Sequence, residues 1–226
     1  MKRNAKHHFI VSGIIFVLFV ALSLALTGVD VQPIGPMGTN VGLAALNGYV
    51  QRLVGVHLVW YHITDWMGLA SVAAAVGFAA LGLYQVIKGK RLRRVDAPIL
   101  LLGGFYILLM AVYFFFETVV INFRPVILDK LPEASYPSSH TVMAVCIMST
   151  GAKLLRCLYP KRRKLLTIAD SAAAVIISVT VLGRFISGVH WFTDIVGGLL
   201  LAFALTELYR GACCMTGAGP WRELEK

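Results

Sequence analysis

Six apolar runs divide the sequence, and each is about long enough for a helix that crosses a bilayer. A spanning helix needs about 20 mostly apolar residues. Apolar residues make up 58% of the 226 residues and charged residues only 14%, whereas a soluble domain carries about a quarter charged residues. We therefore predict an all-α integral membrane protein with six transmembrane helices in one domain, residues 1–226. The runs lie at residues 9–27, 66–87, 97–121, 141–158, 165–183 and 191–209.

The first run has features of a secretory signal peptide, because Lys2, Arg3 and Lys6 precede it. Its apolar part is longer than the roughly 7–15 residues of a signal-peptide core. We therefore expect it to be an uncleaved membrane anchor.

The basic residues are concentrated on one side of the predicted membrane. Of the 21 Lys and Arg residues, 17 lie on that side, and the other side keeps only Arg52, Arg124, Lys130 and Arg184. Because basic loops remain in the cytoplasm, both termini are predicted to be cytoplasmic. The protein itself is expected in the plasma membrane. The net charge of +10 does not indicate nucleic-acid binding, since the basic residues form short clusters between apolar runs rather than one water-exposed face.

Two outer segments precede the second span. The loop 28–56 contains prolines and glycines followed by an apolar stretch, and we expect part of it to lie on the outer leaflet. The next stretch, HLVWYHITDW (57–66), is interpreted as an aromatic belt at the membrane surface. His57 and His62 are five residues apart, which is a poor helical spacing for metal ligands.

Polar side chains from three segments meet at the outer face in this topology. Arg124 follows the third span, PSSH (137–140) opens the fourth, Arg184 follows the fifth, and His190 and Asp194 begin the sixth. Each of these residues alone has an ordinary role at a membrane surface. Two arginines near hydrocarbon are energetically costly, however, so together with serine and histidine they indicate an anionic partner.

The start of the fourth span has the properties of an oxyanion site. A helix N-terminus presents free N–H groups and a partial positive charge. Ser138 and Ser139 can cap that end and donate hydroxyl hydrogen bonds. Arg124 and Arg184 supply planar guanidinium groups that match phosphate oxygens.

The two histidines indicate turnover rather than binding alone. His190 and Asp194 are four residues apart and share a helix face. Asp194 can accept the Nδ1–H of His190, which leaves Nε2 as a nucleophile. His140 is placed to protonate a leaving oxygen. The arginines would stabilise the charge of a phosphoryl group during transfer.

These residues resemble the signature of the type 2 phosphatidic acid phosphatase (PAP2) family, which shares its site with vanadium haloperoxidases. The resemblance extends from about residue 97 to the C-terminus, and the catalytic motifs lie within 97–210. It implies a six-helix membrane bundle that hydrolyses a lipid phosphate without a metal or another cofactor. The motifs that match in order and spacing are Arg124-Pro125, Pro137-Ser138-Ser139-His140 and Arg184…His190…Asp194.

The resemblance also implies a role for each matching residue. His190 is the expected nucleophile and forms a phosphohistidine, and Asp194 orients it. His140 is the expected acid for the leaving alcohol and the base for the incoming water. Phosphate oxygens are expected to bind Arg124, Arg184 and Ser138.

Three positions depart from the family pattern. Glu117 stands seven residues before Arg124, where the family has a lysine, and its carboxylate would repel phosphate. Lys130 is a candidate substitute, or an ordinary surface lysine, and Glu117 could instead pair with an arginine. Ser139 replaces a glycine and narrows the anion site. Gly183 replaces a serine, which removes one possible donor.

The substrate class follows from the resemblance and from the position at the outer face. The candidates are prenyl diphosphates such as undecaprenyl diphosphate, phosphatidic acid and phosphatidylglycerol phosphate. We slightly favour a prenyl diphosphate, because the short chain has no added domain to recognise a headgroup. Two other classes stay open: a vanadate-dependent haloperoxidase, which a lipid-facing six-span site argues against, and a non-catalytic lipid-phosphate binding or transport protein.

Overall fold

The computed structural model describes residues 2–89 and 95–216. Within these ranges the chain forms seven α-helices and a short 3₁₀ turn. Six of the helices, all except α2, are long and apolar enough to cross a membrane. The predicted all-α membrane architecture with six spans is therefore confirmed. The helices are α1 (Lys2–Gly28), α2 (Ala44–Val54), α3 (Leu58–Gly89), α4 (Ala97–Thr118), α5 (Ser139–Leu158), α6 (Arg163–Ser187) and α7 (Phe192–Thr216).

The second spanning helix, α3, begins earlier than predicted. It starts at Leu58 rather than near residue 66, because its first polar residues find partners inside the bundle. The Thr64 hydroxyl donates to backbone carbonyls one turn earlier, and Asp65 pairs with Arg184 of α6. Hydropathy alone could not show this early start, since a hydropathy scale scores each polar side chain as if it had no hydrogen-bond partner.

Consecutive spanning helices alternate in direction, which gives the bundle two distinct faces. We call the face with the C-terminal ends of α1, α4 and α6 and the N-terminal ends of α3, α5 and α7 the site face. The segments with candidate site residues all reach it. Several basic residues predicted for the opposite face lie outside the described residues, namely Lys90, Arg91, Arg93, Arg94, Arg222 and Lys226.

Helices α5 and α7 form the inside of the bundle. Helix α1 packs along α7, where Ser12 Oγ donates to Ala204 O at 2.8 Å and His8 Nδ1 lies 2.6 Å from Glu207 Oε2. Helix α5 packs against α3, α6 and α7, and its Leu154 is fully buried. In a membrane such contacts hold helices together by van der Waals packing and hydrogen bonds, and this packing fixes the starts of α5 and α7 beside each other.

The segment between α4 and α5 folds back on itself at the site face. Phe123 and Ala134 form an antiparallel bridge, and Arg124 N donates to Glu133 O at 2.9 Å. The indole Nε1 of Trp191 donates to Phe123 O at 2.7 Å. These bonds place Arg124 beside the start of α7.

The loop predicted at residues 28–56 contains α2. Asn47 of α2 is fully buried, donates to Thr193 Oγ1 at 2.9 Å and accepts from Thr193 N at 3.2 Å. The opposite side of α2 exposes Leu46, Tyr49 and Leu53. Helix α2 is thus bonded to the start of α7 on one side and presents an apolar surface on the other.

Candidate active site

His190 lies in the short connection between α6 and α7. Gly188 ends α6 with a φ of 65°, a conformation that residues with a side chain rarely adopt. A Cβ at Gly188 would also overlap the backbone of Gly55. Gln51 Nε2 donates to Gly188 O at 2.8 Å. The connection is therefore packed against the segment that carries α2, and His190 is held almost fully buried.

The contacts of His190 determine which of its ring nitrogens carries the proton. Arg124 Nη1 lies 3.2 Å from His190 Nε2. Since arginine can only donate, Nε2 is the acceptor and carries the lone pair. His190 Nδ1 lies 3.5 Å from Asp194 Oδ2, which also accepts from Trp191 N at 2.9 Å. This distance is longer than an ordinary hydrogen bond, but the carboxylate favours a proton on Nδ1.

The surroundings of His190 keep its imidazole neutral. Burial, and then the positive charges of Arg124 and Arg184, lower the pKa of His190 well below its ordinary value. A neutral imidazole with a free lone pair on Nε2 is the form that can attack an electrophile. The geometry and the electrostatics therefore favour the same protonation state.

Arg184 is fully buried at the end of α6. Its Nη2 donates to Asp65 Oδ1 of α3, and its guanidinium lies over the Tyr61 ring at 4.9 Å from the centroid. Its Nε and Nη1 are buried and have no hydrogen-bond partner among the described residues. Buried donors of a charged group require an acceptor, and an anion with several oxygens would supply it.

Arg124 pairs with a carboxylate that the sequence did not single out. Its Nε lies 3.0 Å from Glu133 Oε2, in the segment between α4 and α5. Glu117 forms no ion pair with an arginine in the described part of the chain, so that alternative is not supported. Lys130 is exposed, which agrees with an ordinary surface lysine, and no contact places its amine at the site.

His140 is the second residue of α5 and faces α3. Its Nε2 lies 3.3 Å from Asp65 Oδ1, and its Nδ1 is buried without a hydrogen-bond partner among the described residues. Arg184, His190 and Arg124 are all close enough to act on His140 electrostatically. The two histidines and two arginines predicted to meet at one face are thus brought together.

The start of α5 differs in detail from the prediction. Ser138 occupies the N-cap position, but its side chain makes no capping hydrogen bond. Its Oγ instead accepts from Thr141 Oγ1 at 3.1 Å, and its backbone N–H donates to Asp194 O at 3.0 Å. The expected cap is absent because Thr141 engages the hydroxyl oxygen. The start of α5 is nevertheless bonded directly to the start of α7.

A groove leads from His190 into the apolar part of the bundle between α4 and α5. Ser139, Glu117 and His190 are among its lining residues. Apolar side chains line the rest, including Leu109, Val112, Phe116, Val142 and Met143. In the described ranges, no group of three or more His, Cys, Asp or Glu residues could hold a metal ion.

Gly183, the third departure from the family pattern, has a packing explanation. A Cβ at this position would overlap Thr64 Cγ2 and would lie 3.1 Å from Trp60 Cε3, both on α3. Larger residues on α3 therefore occupy the space that a serine side chain would need. The missing donor is a consequence of the close approach of α3 and α6.

Sequence reasoning missed Asp65 and Tyr61, which it assigned to an aromatic belt. Both lie on α3 and contact Arg184. A signal was present in the sequence, because an acidic residue inside a spanning helix usually has a polar or charged partner. The topology also placed this end of the second span at the same face as PSSH (137–140), although nothing local identified the partner.

Comparisons with known proteins give a family match and a fold match. Residues 115–211 match the family model described as the PAP2 superfamily. A search of curated proteins finds no match. The fold matches the crystal structure described as the first transmembrane PAP2 type phosphatidylglycerolphosphate phosphatase from Bacillus subtilis. That match has a TM-score of 0.61 at 18% sequence identity and covers 89% of this chain and 94% of the other.

Proposed function

Given that residues 115–211 match the PAP2 superfamily model, we propose that the chain is a membrane phosphatase of that family and hydrolyses a lipid phosphate or diphosphate through a phosphohistidine on His190. The observation that carries this proposal is the contact between Arg124 Nη1 and His190 Nε2 at 3.2 Å. It places a phosphate-binding group and a nucleophilic lone pair where both can contact one phosphoryl group.

In the first step, the Nε2 lone pair of His190 forms a bond to phosphorus while the bond between phosphorus and the leaving oxygen breaks. Phosphate oxygens accept the N–H groups of Arg124 and the unpartnered N–H groups of Arg184. These cations stabilise the charge on the transferring group. His140 donates a proton to the leaving oxygen, and we assign this proton to Nδ1 because Asp65 engages Nε2.

In the second step, water attacks the phosphohistidine. His140 Nδ1 accepts a proton from the water, an oxygen–phosphorus bond forms, and the bond between phosphorus and Nε2 breaks. Inorganic phosphate leaves, His140 is again protonated and His190 regains its lone pair. Asp194 stabilises the positive charge that His190 carries while it is phosphorylated.

The groove between α4 and α5 supports a lipid substrate. It adjoins His190 and most of its lining is apolar, so the alkyl part of a substrate would meet apolar side chains while its phosphate contacts the arginines. Within this class a prenyl diphosphate such as undecaprenyl diphosphate is our first candidate. Phosphatidylglycerol phosphate is the second, favoured by the fold match over 89% of the chain, and phosphatidic acid is the third.

The central experiment measures phosphate release by the purified protein in detergent, with EDTA present, from a panel of these lipid phosphates and diphosphates. We expect release from at least one member and its near-complete loss in His190→Ala. His7→Ala, an exposed histidine at the opposite face, serves as the matched control and should release phosphate like the parent. Equal rates for His190→Ala and the parent would contradict the mechanism, and binding without release would support a non-catalytic protein.

The side of the membrane can be tested separately. We propose that the site face is extracytoplasmic and that both termini are cytoplasmic, because basic residues cluster at the opposite face. In a variant without the native cysteines, Lys130→Cys should react with a membrane-impermeant thiol reagent in intact cells. Lys161→Cys should react only after lysis, since both lysines are exposed but lie at opposite faces. The reverse labelling pattern would invert the topology.

A further inference from the structure

We propose that Asp65 is a positioning residue for the reaction, which holds His140 and Arg184 through one carboxylate and gives the site a second His–Asp pair. This inference rests on the proposed function. Asp65 lies on α3, outside residues 115–211 that match the family model, and outside every motif that carries the family resemblance. The role proposed for Asp65 therefore follows from the packing of α3 in the fold and not from a sequence motif.

The geometry joins three helices at one atom. Oδ1 of Asp65, on α3, accepts from Nη2 of Arg184, on α6, and lies 3.3 Å from Nε2 of His140, on α5. A residue that binds the proposed acid and a proposed phosphate ligand together fixes their separation. Such positioning is valuable because a displacement of about 1 Å in a catalytic group can cost about 100-fold in rate.

The contact with Asp65 leaves the reactive atoms of both partners available. Arg184 still has Nε and Nη1, and His140 still has Nδ1, all buried and without a hydrogen-bond partner among the described residues. Asp65 therefore orients each side chain from one edge while the other atoms remain available to the substrate. Its own side chain is 36% exposed, whereas that of Arg184 is fully buried, so Asp65 lies at the open side of the site.

The charge of Asp65 also favours the protonated form of His140. Charged or titratable groups act on His140 from each neighbouring segment: Asp65 on α3, Arg184 on α6, Arg124 before α5 and His190 before α7. Asp65 is the anion of this set, and a carboxylate 3.3 Å from Nε2 stabilises an imidazolium that burial and then the two arginines disfavour. An acid must hold its proton before it can donate it, so Asp65 extends the pH range in which His140 works.

A purely structural alternative makes different predictions. If Asp65 only neutralised a buried arginine, its loss would lower the folded fraction and would reduce turnover of every substrate equally. If Asp65 acts through His140, its loss should matter most when the leaving oxygen needs a proton. An alkyl phosphate has such a leaving oxygen, whereas the nitrophenolate of 4-nitrophenyl phosphate leaves without one.

The experiment compares Asp65→Asn with the parent in detergent, using dioctanoyl phosphatidic acid and 4-nitrophenyl phosphate as probes. For each substrate, kcat/KM is measured across the range in which histidine titrates. We expect kcat/KM for the lipid to fall by about 100-fold, with a fall at least tenfold smaller for the aryl phosphate. The loss of activity at high pH should begin at lower pH, because His140 loses its proton more easily. The ratio of the two substrates does not depend on the folded fraction.

Two control variants make the outcome decisive. Asp129→Asn removes an exposed carboxylate from the same face and should match the parent, and Asp65→Glu should restore part of the substrate ratio because it keeps the charge. Equal losses on both substrates with an unmoved pH profile, or no loss at all, would overturn the role of Asp65. If His190→Ala is inactive in the same assays, that outcome leaves the proposed function intact. A parent that releases no phosphate from either probe or from any member of the lipid panel would overturn both proposals.

Discussion

The site is built from two regions that contribute in different ways. The motif region, residues 115–211, carries His190 and Asp194 only four residues apart, on either side of the start of α7. The amino-terminal region, residues 2–89, contributes Asp65 to a pair with His140, which lies in another helix. One His–Asp pair is set by local geometry and the other exists only because α3 packs against α5 and α6. A short motif can thus specify the reactive residues, whereas the exact positions of their side chains also depend on packing between distant helices.

The largest effect is expected for Asp194→Asn, which alters the His–Asp pair of the motif region. An amide can donate to Nδ1 of His190, which would favour the tautomer with the proton on Nε2 and remove the nucleophilic lone pair. We expect kcat to fall by about 10⁴-fold, the effect of the same change in a serine protease triad. Asp129→Asn serves as the control. A loss below tenfold would show that Asp194 does not set the tautomer.

Arg124→Gln is expected to have the next largest effect. Loss of one charged donor to the transferring phosphoryl group should lower kcat/KM by about 100- to 1000-fold. Arg124 also lowers the pKa of His190, so its removal should raise that pKa. The low-pH limb of kcat/KM, where His190 becomes protonated and inactive, should therefore move to higher pH.

The matched control for that change is Arg52→Gln, an exposed arginine in the amino-terminal region at the same face. It should leave both the rate and the pH profile unchanged. An unmoved low-pH limb in Arg124→Gln would show that the arginine does not act on His190. A shift of equal size in Arg52→Gln would indicate a general surface-charge effect instead.

Asn47→Ala tests whether the amino-terminal region also positions the nucleophile. The side chain of Asn47 bonds both Thr193 N and Thr193 Oγ1, close to His190. Loss of these buried bonds should cost about 1–3 kcal/mol of stability and reduce kcat about tenfold through displacement of the loop. Asn40→Ala, an exposed residue of the same segment, is the control. A stability loss without any change in kcat would limit Asn47 to folding.

The smallest effect is expected at the contact between the two regions. Gly183→Ser restores the serine of the family pattern, but its Cβ would overlap Thr64 Cγ2. We expect a loss of stability of about 1–3 kcal/mol, relieved in part by Thr64→Ala in the same chain. Gly77→Ser, where no atom lies within 4 Å of an added Cβ, should be neutral. Higher activity in Gly183→Ser alone would show that the missing donor limits the rate.

The same division explains what the sequence could predict. The six spans followed from apolar runs, and the convergence of Arg124, His140, Arg184 and His190 followed from alternating helix direction and short motifs. The partners Asp65 and Glu133 did not, because ion pairs between distant segments depend on helix packing that hydropathy does not encode. Glu133 lies in an irregular loop, so no periodic pattern identified which arginine it would contact.

The side-chain contacts within the motifs also could not be predicted from the sequence. Ser138 was expected to cap α5, yet its side chain is engaged by Thr141, and this choice between two hydroxyl partners depends on local rotamers. The sequence showed that Gly183 departs from the family pattern. It could not show the reason, which is that side chains of α3 occupy the space next to Gly183. Sequence reasoning therefore located the candidate reactive groups better than it located the groups that hold them.

The most direct test of the central claim is to trap the phosphorylated enzyme. The His140→Ala variant, which lacks the base for the second step, is mixed with 4-nitrophenyl phosphate, whose leaving group needs no proton from His140 in the first step, then quenched rapidly in alkali and mapped by mass spectrometry. We predict one phosphate per chain on His190, stable in alkali and released by acid, and none in His190→Ala. Turnover by the parent without any phosphohistidine, or a phosphate on another residue, would contradict the proposed mechanism.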